Sequence, residues 1–130
     1  MANKRRPPIG KIVWTDLTVK NADKVQEFYR KVVGWRSGEV PMGDYSDYTM
    51  FSPKSKKPSV GICHKKGVNA KQPSGWMIYI SVEDADESAR VCKKMGGKVL
   101  VGPKDMGSYG RFCVIQDPGG GVAGLIAAPK

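Results

Sequence analysis

Asp16 and Tyr79 lie 63 residues apart. One is a carboxylate and the other a phenol, the make-up of a base and an acid for proton transfer. Asp16 stands in "IVWTDLTV", two residues after Trp14. The plainer reading is that Asp16 only accepts hydrogen bonds, from backbone or from Trp14. Arg111, in "GRF", suits an anionic ligand group, and Tyr48 lies at the same 63-residue interval from it. A surface ion pair is the alternative for Arg111. The single histidine, His64, ends an apolar run beside Lys65 and Lys66. With no carboxylate or cysteine at usable spacing, it is expected at the surface rather than on a metal. Cys63, Cys92 and Cys113 have no CxxC spacing and each sits in an apolar segment. They read as reduced core residues of a cytoplasmic protein.

The 63-residue interval is the organising feature of the chain. "WTDLTVKNADKVQEFYRKVVGW" (14–35) matches "MIYISVEDADESARVCKKMGGK" (77–98), so that Val19 meets Val82, Asp23 meets Asp86 and Gly34 meets Gly97. The register persists to "VGI" (60–62) and "AGL" (123–125), which pairs Gly61 with Gly124. Only two copies occur, which fits a duplicated supersecondary unit better than a solenoid. Each copy opens with an alternating strand, at 12–19 and 77–82. A helix follows, with Val25, Phe28, Tyr29, Val32 and Val33 as the apolar stripe of the first, and Ala85, Ala89, Cys92 and Met95 of the second. Asn21 or Asp23 would cap the first helix and Gly34 end it. Three short strands complete each copy, near 35–40, 46–52 and 59–64, then 98–102, 110–116 and 121–127. The unit is βαβββ, twice, an α+β domain.

At 130 residues the chain is one domain's worth. Residues 1–9 read as a flexible basic tail and 10–130 as the domain, with modules at about 10–72 and 74–127. No apolar run is long enough to span a membrane, and no secretory signal is expected behind "MANKRRPPIGK". The net charge of +10 favours anionic partners. Nucleic acid is the obvious suggestion, but no helix-turn-helix, zinc knuckle or RNP-like strand is present, and lysines on loops explain the charge.

The double βαβββ unit, "FYRKVVGW" (28–35), the "V.DAD" pattern of 82–86 and "GRFCVIQDPGG" (110–120) resemble the vicinal oxygen chelate superfamily, also called the glyoxalase / bleomycin-resistance / extradiol-dioxygenase family. The resemblance covers residues 10–127. It implies two modules forming a cupped eight-stranded mixed sheet, helices on the outer face, a ligand in the cup and a homodimer. Enzymes of the superfamily hold a divalent metal through His, Glu or Gln on the first and last strands of each module. Carried over, those positions are Trp14, Met77, Gly61 and Gly124. Indole nitrogen only donates, thioether is a soft ligand and glycine has no side chain, so no metal and no cofactor are expected.

Strand glycines mark a close approach by another group. At Gly61 and Gly124 that group is either Trp14 and Met77 filling the cup, or an organic ligand. The polar Asp16, Thr18, Tyr79 and Ser81 favour an open pocket, because they would be costly in a sealed core. The expectation is a metal-free protein binding a neutral or anionic small molecule through Trp14, Asp16, Tyr48, Gly61, Met77, Tyr79, Arg111 and Gly124. A metal-independent enzyme using Asp16 and Tyr79 is the alternative, and a metal-dependent lyase, isomerase or dioxygenase the weaker one.

Overall fold

The computed structural model describes residues 6–129. Lys4 and Arg5 of the expected tail lie outside the described residues. Strands β1 (Ile12–Val19), β2 (Arg36–Pro41), β3 (Ser46–Phe51), β4 (Pro58–His64), β5 (Gly75–Ser81), β6 (Lys98–Asp105), β7 (Arg111–Gln116) and β8 (Val122–Ala127) form one mixed sheet. Its order is β2-β3-β4-β1-β5-β8-β7-β6. Helices α1 (Ala22–Val33) and α2 (Ala85–Lys94) follow β1 and β5. The α+β fold expected from the repeat is the fold observed.

The chain divides into two compact units. One is Trp14–Trp76; the other joins the chain from Met77 onward to the segment ahead of Trp14. That segment is tied by backbone bonds to the end of β5: Gly10 N–H donates to Ser81 O at 2.7 Å, and Ser81 N–H to Lys11 O at 2.8 Å.

In the first unit β1 runs parallel to β4, and β4-β3-β2 is an antiparallel meander. Leu17, Ala22, Met50 and Ile62 are buried together, with Val19, Val25, Tyr29 and Tyr48 packed on them. The second unit repeats the plan, with β5 parallel to β8 and β8-β7-β6 antiparallel. There Ala89 of α2 packs on Cys113 and Leu125, with Ile80 and Val82 alongside. β6 runs three residues past its expected end, with two register shifts against β7.

Two expectations for the helices are corrected. Asn21 precedes α1 but makes no side-chain cap bond, and Asp23 in the first turn is engaged elsewhere. Nor does the whole apolar stripe pack inward. Val25 and Tyr29 reach the core, whereas Phe28, Val32 and Val33 stay exposed, as does Met95 just beyond α2. Only the side of α1 that carries Val25 and Tyr29 faces the core, and the rest of the stripe turns away from it. Gly34 ends α1 as expected, in the left-handed conformation at φ 81°, its N–H donating to Arg30 O.

Candidate functional site

Strand alternation puts Trp14 and Asp16 on the opposite face of β1 from Leu17, which packs among the core residues beneath α1. In the β1–β4 ladder Asp16 lies directly opposite Gly61. A Cβ on Gly61 would stand 3.4 Å from Asp16 Cβ and 3.5 Å from the indole of Trp14. The second unit repeats this register, with Tyr79 opposite Gly124. Here the approach is closer: a Cβ on Gly124 would meet Tyr79 Cδ2 at 2.6 Å. Each last-strand glycine therefore accommodates an aromatic ring of its own unit. Asp16 and Tyr79 are half-buried, Thr18 and Ser81 fully buried, and the Oδ1 of Asp16 is shielded from solvent.

The two units differ in what surrounds these positions. In the second, Met77, Phe112 and Val114 are buried as one apolar cluster, with Tyr79, Met106, Val122 and Ile126 against it. In the first, the strands next to Trp14 and Asp16 carry Asp47 and Cys63, a more polar lining. Burial, followed by the negative charges of Asp16 and Asp47, pushes the Cys63 thiol up to about 12. Such a thiol is a poor nucleophile at neutral pH.

Tyr48 and Arg111 lie toward the helices instead. The hydroxyl of Tyr48 donates to Asp23 Oδ1 in the first turn of α1. Arg111 grips Asp86 in the first turn of α2 through Nε (2.6 Å) and Nη2 (3.1 Å), and reaches Asp105 at 3.2 Å. Each joint ties a helix to its sheet. The hydrogen bond to Asp23, then burial, raises the Tyr48 phenol to about 12. The bonds to Asp86 and Asp105 hold the Arg111 guanidinium above its usual range. Asp23 and Asp86 stand at the same 63-residue interval as Tyr48 and Arg111. That shared interval was the signal for both joints.

His64 is buried rather than at the surface. Its backbone N–H donates to Asp47 Oδ1 at 2.8 Å, its Nδ1 is 3.3 Å from that oxygen, and its Nε2 is 3.6 Å from Asp23 Oδ2. Tyr45 closes edge-on over the ring, at 5.3 Å between centroids. The carboxylates that make burial tolerable come from β3 and α1, so spacing along the chain did not reveal them.

Two of the positions carried over from the resemblance, Gly61 and Gly124, are glycines. Around Gly61 and Gly124 the nearest side chains are Trp14, Asp16 and Tyr79. Among the described residues, no group of three or more His, Cys, Asp or Glu side chains is placed to hold a metal ion.

Residues 11–123 match the family model described as Glyoxalase/Bleomycin resistance protein/Dioxygenase superfamily. The chain belongs to this superfamily. Its relatives include the Mycobacterium tuberculosis protein CFP32, whose name ties it to the glyoxylases. It is 30% identical over 117 residues, 90% of this chain and 44% of CFP32. The anthracycline biosynthesis protein DnrV of Streptomyces peucetius is 27% identical over 122 residues, 85% of this chain and 44% of DnrV. The chain thus spans less than half the length of these relatives. Among solved structures, methylmalonyl-CoA epimerase from Mycobacterium tuberculosis shares the fold, with a TM-score of 0.56 at 18% identity, covering 100% of this chain and 97% of that one. Among the described residues no helix is long and apolar enough to cross a membrane.

Proposed function

We propose that this superfamily member binds a planar organic molecule, neutral or anionic, without a metal. The observation that carries the reading is an aromatic ring beside each last-strand glycine. Gly61 faces the indole of Trp14, and Gly124 faces the ring of Tyr79. A flat ring system gains from stacking on such a wall. The net charge of +10 favours a ligand without positive charge. The likeness to DnrV, a protein named for anthracycline biosynthesis, supports a polycyclic aromatic class.

Native mass spectrometry of untagged protein tests this. An organic adduct of a few hundred daltons without metal supports the reading and supplies the ligand. A stoichiometric divalent metal overturns it. A complementary titration uses a planar anthraquinone carboxylate as probe. Quenching of tryptophan fluorescence that Trp14→Ala weakens at least about 10-fold, and Trp76→Phe leaves intact, is the expected result.

A second reading is metal-independent proton transfer. It is favoured by the equivalent placement of Asp16 opposite Gly61 and Tyr79 opposite Gly124. Asp16→Asn would then abolish any turnover while leaving the fold intact. Turnover that survives this change assigns Asp16 a structural role.

A further inference from the structure

The sheet face that carries Trp14 and Asp16 continues outward to the edge strand β2. The ladder registers set Asp16, Gly61, Thr49 and Gly38 in one row across β1, β4, β3 and β2. Two of the four are glycines, so between them only the short Thr49 side chain rises from the row. A ring borders each glycine. The indole of Trp14 would stand 3.5 Å from a Cβ on Gly61, and the ring of Phe51 3.2 Å from one on Gly38. The two glycines are two strand spacings apart, about 10 Å. Trp14 and Phe51 are both half-buried, so each ring keeps open surface. The row is a shallow floor with an aromatic side chain toward either end.

Arg36 closes the outer end of this floor. It lies directly opposite Phe51 in the β2–β3 ladder, with its guanidinium carbon 5.1 Å from the centre of that ring. Its Nε donates to Pro53 O at 3.2 Å and its Nη2 to Ser55 O at 2.6 Å. A ring and two carbonyls hold the guanidinium in place without neutralising it. Among the described residues Arg30, Arg90 and Arg111 each grip a carboxylate, whereas no carboxylate pairs with Arg36. A guanidinium has further N–H donors beyond these two bonds, in a geometry that matches an oxyanion. The carboxylates of this face lie elsewhere. Asp16 is three strand spacings from β2, about 14 Å, and Asp47 is four residues along β3 from Phe51, about 13 Å. Lys54, Lys56 and Lys57 follow on the loop that Arg36 holds and keep the local potential positive.

We infer that Arg36 determines specificity for an aromatic acid. The ligand's ring system lies along the row between Trp14 and Phe51, and its carboxylate bonds to the Arg36 guanidinium. This rests on the planar-ligand reading above and narrows it from neutral or anionic to anionic. Isothermal titration calorimetry with anthraquinone-2-carboxylate and anthraquinone-2-carboxamide tests it, since the two probes share a ring system and differ in charge. Wild-type protein is expected to bind the carboxylate at least about 10-fold more tightly. Arg36→Gln should bring the two affinities within about 2-fold while keeping the carboxamide affinity, which also reports an intact fold. Arg36→Lys keeps the charge but not the fork and should retain only about a third of the preference. Lys94→Gln removes the same charge from α2 and should leave the preference whole. Equal wild-type affinities overturn the inference and leave the planar-ligand reading standing. So does a preference that survives Arg36→Gln, or one that Lys94→Gln removes as well. A full preference in Arg36→Lys overturns it even if Arg36→Gln misfolds. Binding of neither probe overturns the inference and the planar-ligand reading together.

Discussion

A methyl group on Gly124 would meet the ring of Tyr79 at 2.6 Å, whereas one on Gly61 would rest at 3.4 Å from Asp16 Cβ. The first is an overlap and the second an ordinary contact. Gly124→Ala is therefore expected to lower stability by about 1–3 kcal/mol, and Gly61→Ala by clearly less. Urea melts of the two variants check this, and equal effects would mean that Tyr79 moves aside freely. Tyr48 makes a second prediction at this scale. Its phenol rises from 10.0 to about 12 because Asp23 holds the protonated form. Protonated Tyr48 is thus favoured in the fold. Its contribution is whole below pH 10 and is lost as pH rises through about 12. Tyr48→Phe should flatten the alkaline loss of stability over that window. A wild-type-minus-variant difference that is flat with pH would refute it.

The two helices sit on equivalent strands but start differently. Asp84 precedes α2 and its side chain accepts from Glu87 N–H at 3.0 Å. Asn21, ahead of α1, makes no such bond. Asp84→Ala is expected to cost about 1 kcal/mol, the usual worth of a side-chain cap. Asn21→Ala should fall within about 0.5 kcal/mol of wild type. Thermal unfolding of both variants decides it. At α1 the anchoring comes instead from Tyr48 and the buried His64, which both reach Asp23. α2 uses Arg111 on Asp86 for the same task. The duplicated plan therefore keeps the aspartate and exchanges what grips it.

For the molecule as a whole, the proposed metal-free binding predicts indifference to chelators. Dialysis against EDTA should leave the unfolding temperature and the affinity for an aromatic probe unchanged. A shift reversed by one divalent metal would refute the metal-independent reading. Much of the architecture was legible beforehand. Strand alternation, helical spacing and the 63-residue interval are local or periodic, so they appear in the chain itself. They set the order of elements, the pairing of Gly61 with Gly124 and the parity that points Asp16 away from Leu17. Contacts between distant segments decided the rest. His64 is buried where carboxylates arrive from α1 and β3, and polar pairing across strands has no period along the chain. The ring of Tyr79 takes the space at Gly124, which only side-chain packing determines. Phe28 and Val32 fit an inward stripe by spacing, yet stay outside because α1 packs on the side that carries Val25 and Tyr29.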